Sequence, residues 1–394
     1  MARNIGGAWR VLLAIWLVAG LCGCGATYDS LKCERDCVQY REYCRLRDDQ
    51  PGKDCTVEVD YGGSGRVPIA LHTFGSPSKH AMVMVHGLLS DSKAWRFVAA
   101  DLSRDHYVIM VDLPGCGASG PPTGDLPRDF DPYTPDALAD LVLAALQTHL
   151  KGVPEVERVT VVAHSLGAAL ALRMFASPDV RERRQEMLDR IDRMVLIAPL
   201  DLAIEKASPM FVHLSTMTGW EVGFGSATGL LRERVSRGIA ASVDESTPAL
   251  REEADAVMAI LQDPDKRTAM QAMLRGAAPS RGDGEYRPDW ERIERLTAET
   301  SSVDRPILIV WGARDETLPV SMGYKLWAQL PASEMVVIPS AKHSPQLERP
   351  QVVVALIREY LGREPHPSRP TGENAGAWGV RAVRSVEEAH AAGE

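Results

Sequence analysis

Ser165 stands in Ala163-His164-Ser165-Leu166-Gly167. A serine hydroxyl is a weak nucleophile and needs a base within hydrogen-bond reach before it attacks a carbonyl. The small Ala163 and Gly167 allow the sharp bend that would hold such a hydroxyl out from its neighbours. A serine at the start of a helix also sits beside free amide N–H groups, which favour developing negative charge. Two further residues could complete the chemistry. His343, in Ala341-Lys342-His343-Ser344, can accept the serine proton and return it to a leaving group. Asp315, in Trp311-Gly312-Ala313-Arg314-Asp315, can hold that imidazole in the right tautomer and stabilise the imidazolium. Asp201, just past Ala198-Pro199-Leu200, is the rival for the acid.

These residues need elements that bring them together. Thr160-Val161-Val162 is a β-branched run, and Leu166 to Phe175 is rich in helix formers, so Ser165 lies on a strand-to-helix turn. Ala81 to Val85 and Tyr107 to Val111 are continuous apolar runs, as in strands buried on both faces. Thr56 to Tyr61 and Val67 to Phe74 alternate around Gly62-Gly63-Ser64-Gly65, which predicts a hairpin-like pair. Further strands are expected at Met194 to Ala198, Pro306 to Val310 and Glu334 to Ile338. Helical patterns lie between, at Ser90 to Leu102, Pro135 to Leu150, Pro319 to Leu330 and Val352 to Leu361. Alternating strands and helices imply a mostly parallel sheet covered on both faces. In such a sheet the carboxyl ends of the strands form the ligand crevice. Ser165, Asp315 and His343 each follow a strand, so they should converge there.

His86-Gly87, Asp112-Leu113-Pro114-Gly115-Cys116-Gly117-Ala118-Ser119, Ala163-His164-Ser165-Leu166-Gly167, Trp311-Gly312-Ala313-Arg314-Asp315 and the late His343-Ser344 occur in one order. That combination resembles the α/β-hydrolase superfamily, in its serine-nucleophile, cap-containing branch, over roughly Thr56 to Leu361. The resemblance implies an α/β-hydrolase fold with a helical cap insertion and the triad Ser165, Asp315 and His343. It assigns the oxyanion hole to the backbone N–H groups of Leu88 and Leu166. His86 would brace the oxyanion loop, Asp112 would organise a structural turn, and Cys116 would be a buried thiol.

The core then comprises residues 56–200 and 305–361, with a helical cap at 201–304 and a disordered tail at 362–394. The cap carries Met210, Phe211, Met217, Trp220 and Phe224. Apolar side chains over a crevice suggest an apolar acyl or alkyl substrate and exclusion of water. The expected activity is hydrolysis of carboxylic esters through an acyl-enzyme. The same triad could instead serve C–C bond hydrolysis, amide hydrolysis or acyl transfer. A further alternative is a non-catalytic, surface-anchored binding protein built on the same fold. No cofactor or metal is implied, and a net charge of −9 gives no basis for a nucleic-acid partner.

Arg3 and Arg10 precede an apolar run from Val11 to Leu21, too short to span a bilayer but suited to a signal peptide. It ends in Leu21-Cys22-Gly23-Cys24, which resembles the lipobox of bacterial lipoproteins. The resemblance implies cleavage after residue 23, acylation of Cys24, and an exported lipoprotein anchored at a membrane of the cell envelope. Cys33, Cys37, Cys44 and Cys55 follow in the appendage 24–55. In an exported chain they read as two disulfides of open connectivity.

Overall fold

A computed structural model describes residues 54–363, apart from 61–63, 129, 206–208, 245–246, 248–249 and 279–285, and the backbone of 381–383. The expected signal segment, Cys24, Cys33, Cys37 and Cys44 therefore lie outside the described residues.

Nine strands form one sheet among the described residues. In chain order they are β1 (Asp54–Asp60), β2 (Arg66–Phe74), β3 (His80–Val85), β4 (Tyr107–Val111), β5 (Arg158–His164), β6 (Ile191–Ile197), β7 (Ile307–Gly312), β8 (Ser333–Ile338) and β9 (Arg381–Val383). Their spatial order is β1-β2-β4-β3-β5-β6-β7-β8-β9. Strands β4, β3, β5, β6, β7 and β8 run parallel, while β1, β2 and β9 join antiparallel at the edges.

The apolar runs divide by their period of two. Ala81, Val83 and Val85 face one core, which also takes Leu138 to Leu150 and Leu166 to Ala176. Met82 and Met84 face the other, with Val98 to Leu102 and Val353 to Tyr360. Helices α1 (Arg96–Leu102) and α13 (Pro350–Leu361) thus cover one side. Helices α2 (Pro135–Lys151), α3 (Leu166–Ala176) and α4 (Pro178–Asp189) cover the other. The chain passes from β3 outward to β4 and returns across β3 to β5, so the strand order reverses at β3. A crevice opens at such a reversal, between the loops that leave β3 and β5.

After β6 come α5 (Pro209–Thr216), α6 (Gly219–Thr228), α7 (Leu230–Ser242), α8 (Leu250–Gln262) and α9 (Pro264–Ala277). They enclose a small core of their own, including Leu214, Val235, Ala254, Leu261 and Met270. The next helix, α10 (Trp290–Ser301), does not join it: Ile293 and Leu296 pack into the core under the sheet. After β7 come α11 (Val320–Gln329), then β8, a single turn α12 (Pro345–Glu348), and α13.

Two expectations are corrected. Cys55 is a free thiol on β1, opposite Leu71 of β2, and its Sγ lies 3.6 Å from His149 Nδ1. It is part of the sheet, whose first strand begins at Asp54, before the alternation at Thr56 becomes visible; the cysteines expected to pair with it lie outside the described residues. Within 362–394, expected to lack order, β9 pairs with β8 through Met335↔Val383 and Val337↔Arg381. Three residues are too few to leave a periodic signal.

Candidate active site

The turn after β5 is tight. Ser165 has φ 51° and ψ −117°, a strained conformation for a residue with a Cβ. It is held there by hydrogen bonds: its N–H donates to Ile197 O at 2.9 Å, and its carbonyl accepts from Ala168, Ala169 and Leu200 N–H at 3.1 Å each. Packing needs the small neighbours. A Cβ on Gly167 would lie 2.4 Å from His86 O and 2.5 Å from Val85 O, so α3 starts directly against the end of β3. A Cβ on Gly87 would lie 3.0 Å from Ser165 Cβ. Among the described residues, the other non-glycine positions with positive φ are Leu89 (57°) and Ala198 (43°). All three follow adjacent strands at the same sheet edge, where strain clusters at functional sites.

His86 fixes the loop after β3. Its Nδ1–H donates to Gly87 O at 2.7 Å and its Nε2 accepts Leu113 N–H at 3.0 Å, which defines a neutral tautomer. Leu166 opens α3, where the amide N–H has no partner within the helix. Among the described residues, neither its N–H nor that of Leu88 donates to a backbone carbonyl.

His343 Nδ1 lies 2.8 Å from Asp315 Oδ2, with both side chains buried. Asp315 Oδ1 accepts Thr317 and Leu318 N–H at 2.8 Å each. This fixes the carboxylate and leaves its second oxygen for the imidazole. Asp201 is occupied elsewhere, accepting Ala203 N–H at 2.8 Å. The histidine loop is strapped from outside. Ser242 O, at the end of α7, accepts the N–H groups of His343 (3.0 Å) and Ser344 (3.1 Å). Ser242 Oγ also lies 2.7 Å from Thr317 Oγ1 on the acid loop. Glu348 accepts from Lys342, Ser344 and Asp244 N–H. His164 Nε2–H donates to His343 O at 2.9 Å, and burial pushes the His164 pKa well down, so that ring stays neutral. The sequence pattern gave no sign of Ser242 or Glu348: Ser242 holds the loop through a backbone carbonyl that any residue could supply, and the Glu348 carboxylate binds backbone amides that carry no side-chain signature.

Ser165 and His343 line one cavity of about 560 Å³. Leu88 and Leu89 form part of its floor, and Met210, Phe211 and Met217 reach it from the cap. Trp220 and Phe224 do not. They stack on each other at 5.5 Å on α6, 75% and 53% exposed, because their four-residue spacing puts both on the outer face of that helix. The cap is tied to the core by buried Arg96, which binds Glu253 (2.9 Å) and Glu252 (3.2 Å) of α8.

The Asp112 turn is structural. Burial alone would raise this carboxyl. The hydrogen bond from His72 and the amides of Ala118 and Ser92 overcome that and hold it at about 2. Its hydrogen bond in turn lifts His72 to about 9. Burial pushes the Cys116 thiol up to about 12, which makes it a poor nucleophile.

A strained serine elbow on an open parallel sheet, beneath a helical cap, defines the class of α/β-fold hydrolases. Residues 82–356 match the Alpha/beta hydrolase family, and the chain belongs to that family and is a hydrolase. Esterase YbfF of Escherichia coli is 26% identical over 290 residues, covering 71% of this chain and 92% of that one. The pimeloyl-[acyl-carrier protein] methyl ester esterase of Nitrosomonas europaea is 24% identical over 278 residues, 70% of this chain and 93% of that one. Among solved structures, the 2-hydroxy-6-oxo-6-phenylhexa-2,4-dienoate hydrolase of Rhodococcus sp. strain RHA1 superposes with a TM-score of 0.57 at 19% identity. It covers 79% of this chain and all of that one, a likeness of fold.

Proposed function

We propose that the protein hydrolyses carboxylic esters with an apolar acyl or alkyl portion, through an acyl-enzyme on Ser165. His343 takes the hydroxyl proton as Ser165 Oγ bonds to the carbonyl carbon. The oxyanion is met by the N–H groups of Leu88 and Leu166, each such donor contributing about 3 kcal/mol in acyl-transfer sites. His343 then protonates the departing alcohol as its C–O bond breaks. Water, deprotonated by the same imidazole, cleaves the acyl-enzyme and restores the serine. The observation that carries this reading is the His343–Asp315 hydrogen bond of 2.8 Å in the wall of the apolar cavity that Ser165 also lines. The esterases named among the relatives favour ester cleavage over the other reactions open to the same triad.

The test is Ser165→Ala against the wild type, with p-nitrophenyl esters and a fluorophosphonate probe. The variant should melt as the wild type does, neither label nor turn over ester. Ester hydrolysis by Ser165→Ala at the wild-type rate would refute the assignment.

We also propose that the protein is exported and anchored through acylated Cys24. Support comes from Arg3, Arg10, the apolar run to Leu21 and the small Gly23. One acyl chain binds a membrane only marginally, whereas two anchor stably. Mass spectrometry of the mature protein should find a lipid-modified Cys24 at the N-terminus. An unmodified amine at another residue would exclude it.

A further inference from the structure

Gln346 lies three residues beyond His343, in the single turn α12, and lines the same cavity. It is 1% exposed, and neither its Oε1 nor its Nε2 has a hydrogen-bond partner. Among the described residues it is the side chain with two separate buried polar atoms left without a partner. A buried donor or acceptor left unpaired is costly relative to one that is paired. A leucine or methionine of similar size would escape that cost. The turn gives the amide little freedom to find a partner elsewhere. Leu347 N–H donates to Ser344 O at 2.9 Å, Leu347 packs against Phe97, and Glu348 is fixed by three backbone amides.

Several other polar side chains in the cavity wall are already matched. Glu253 binds Arg96 at 2.9 Å, Ser242 and Thr317 bind each other at 2.7 Å, and Arg237 pairs with Glu233. Gln346 therefore presents an unmet donor and acceptor inside a predominantly apolar pocket, on the loop that carries the base.

We infer that Gln346 is a specificity-determining residue: its carboxamide takes an uncharged hydrogen-bonding group, such as a hydroxyl or an amide, carried on the chain of the ester. This rests on the esterase reading above. The group is uncharged because an amide does not repay the desolvation of an ion in an apolar cavity. Buried Arg96 is already bound by two carboxylates of the cap, and Arg237 of the cavity wall by Glu233. A hydroxyl or amide at one fixed distance from the scissile carbonyl satisfies both ends of Gln346 at once. A plain alkyl chain leaves them unmet. Sites built to hydrogen-bond a substrate group discriminate strongly against the analogue that lacks it.

The experiment compares p-nitrophenyl esters of equal chain length, one series unsubstituted and the other bearing a hydroxyl or an amide at successive carbons. The full-length wild type should favour one substituted position by roughly tenfold or more in kcat/KM, the scale of one unmet amide. Gln346→Met should lower kcat/KM for the substituted ester to that of the unsubstituted one, with melting temperature as the folding control. Selectivity that is flat across all positions in the wild type overturns the inference. So does a preference that survives unchanged in a folded Gln346→Met, which would make the amide purely structural. A wild type that neither labels nor hydrolyses any ester overturns the esterase reading itself, a result distinguishable from both.

Discussion

Replacing Asp315 by Asn tests how the imidazole is held. The carboxylate has no exposed side-chain surface and divides its work: Oδ1 accepts two backbone N–H groups and Oδ2 faces His343 Nδ1. An asparagine of the same shape must keep its oxygen toward Thr317 and Leu318. Turning the amide round would set its NH₂ against two donors and leave both amides unpaired, at about 1–3 kcal/mol each. The NH₂ then points at His343 Nδ1 and forces that nitrogen to accept. The proton moves to Nε2, the atom that must take a proton from Ser165. The imidazole is left in the wrong tautomer with no negative charge behind it. In serine triads this loss is about 10⁴-fold in kcat, or about 5.5 kcal/mol of barrier at 1.36 kcal/mol per tenfold. Ester turnover and the rate of fluorophosphonate labelling would both report it, with melting temperature as the control for folding. Asp201→Asn should leave both rates within about twofold of wild type, on the scale where 1.36 kcal/mol is tenfold. A fully folded Asp315→Asn that retained more than a tenth of wild-type activity would refute the reasoning, the more so if Asp201→Asn lost it.

Other positions give independent checks. His72 binds Asp112 at 2.9 Å and Asp54 at 2.7 Å, and its pKa rises from 6.5 to about 9. Its stabilisation is therefore complete below about pH 6.5 and lost as pH climbs through 9. The Asp112 side of the pair is present above about 3.8 and lost as pH falls toward 2. Denaturant titrations of His72→Gln should show lower stability at pH 6 and a gap from wild type that closes by pH 10. Gly167→Ala places a methyl group against two backbone oxygens at 2.4 and 2.5 Å. Unfolding should show a loss of about 1–3 kcal/mol, together with loss of labelling at Ser165 as α3 shifts. Glu348→Gln removes one of the two oxygens that bind three amides around His343. We expect kcat to fall about tenfold, the cost of one charge-assisted hydrogen bond, with KM little changed. Steady-state kinetics would separate this from a defect in binding.

What the sequence revealed was what lies on strand ends. The apolar runs at Ala81, Tyr107 and Val161 are buried on both faces, and burial of that kind writes itself as an unbroken pattern. Ser165, Asp315 and His343 were legible as residues of one sheet edge because each follows such a run. The cap was legible only as helix. Trp220 and Phe224, expected over the crevice, stand outside it, since spacing puts two side chains on one face without saying which way that face turns. Cys55 was read with the cysteines before it, although its partners in space are Leu71 and His149.

The deeper gap concerns what holds the base. Three consecutive amides, at Lys342, His343 and Ser344, are all claimed by groups outside their own loop: Glu348 of α12 and Ser242 O at the end of the cap helix α7. The same Ser242 reaches through its hydroxyl to Thr317, whose N–H holds Asp315. Strand β8 delivers His343 to the sheet edge, but the cap and α12 decide where its imidazole stands. The bonds from Ser242 O to the amides of His343 and Ser344 run from backbone to backbone, across a hundred residues of sequence. They impose almost no demand on side-chain type at either end, so no motif records them. The cap is therefore more than a cover for an apolar cavity: its α7 end is part of the scaffold on which His343 and Asp315 are set.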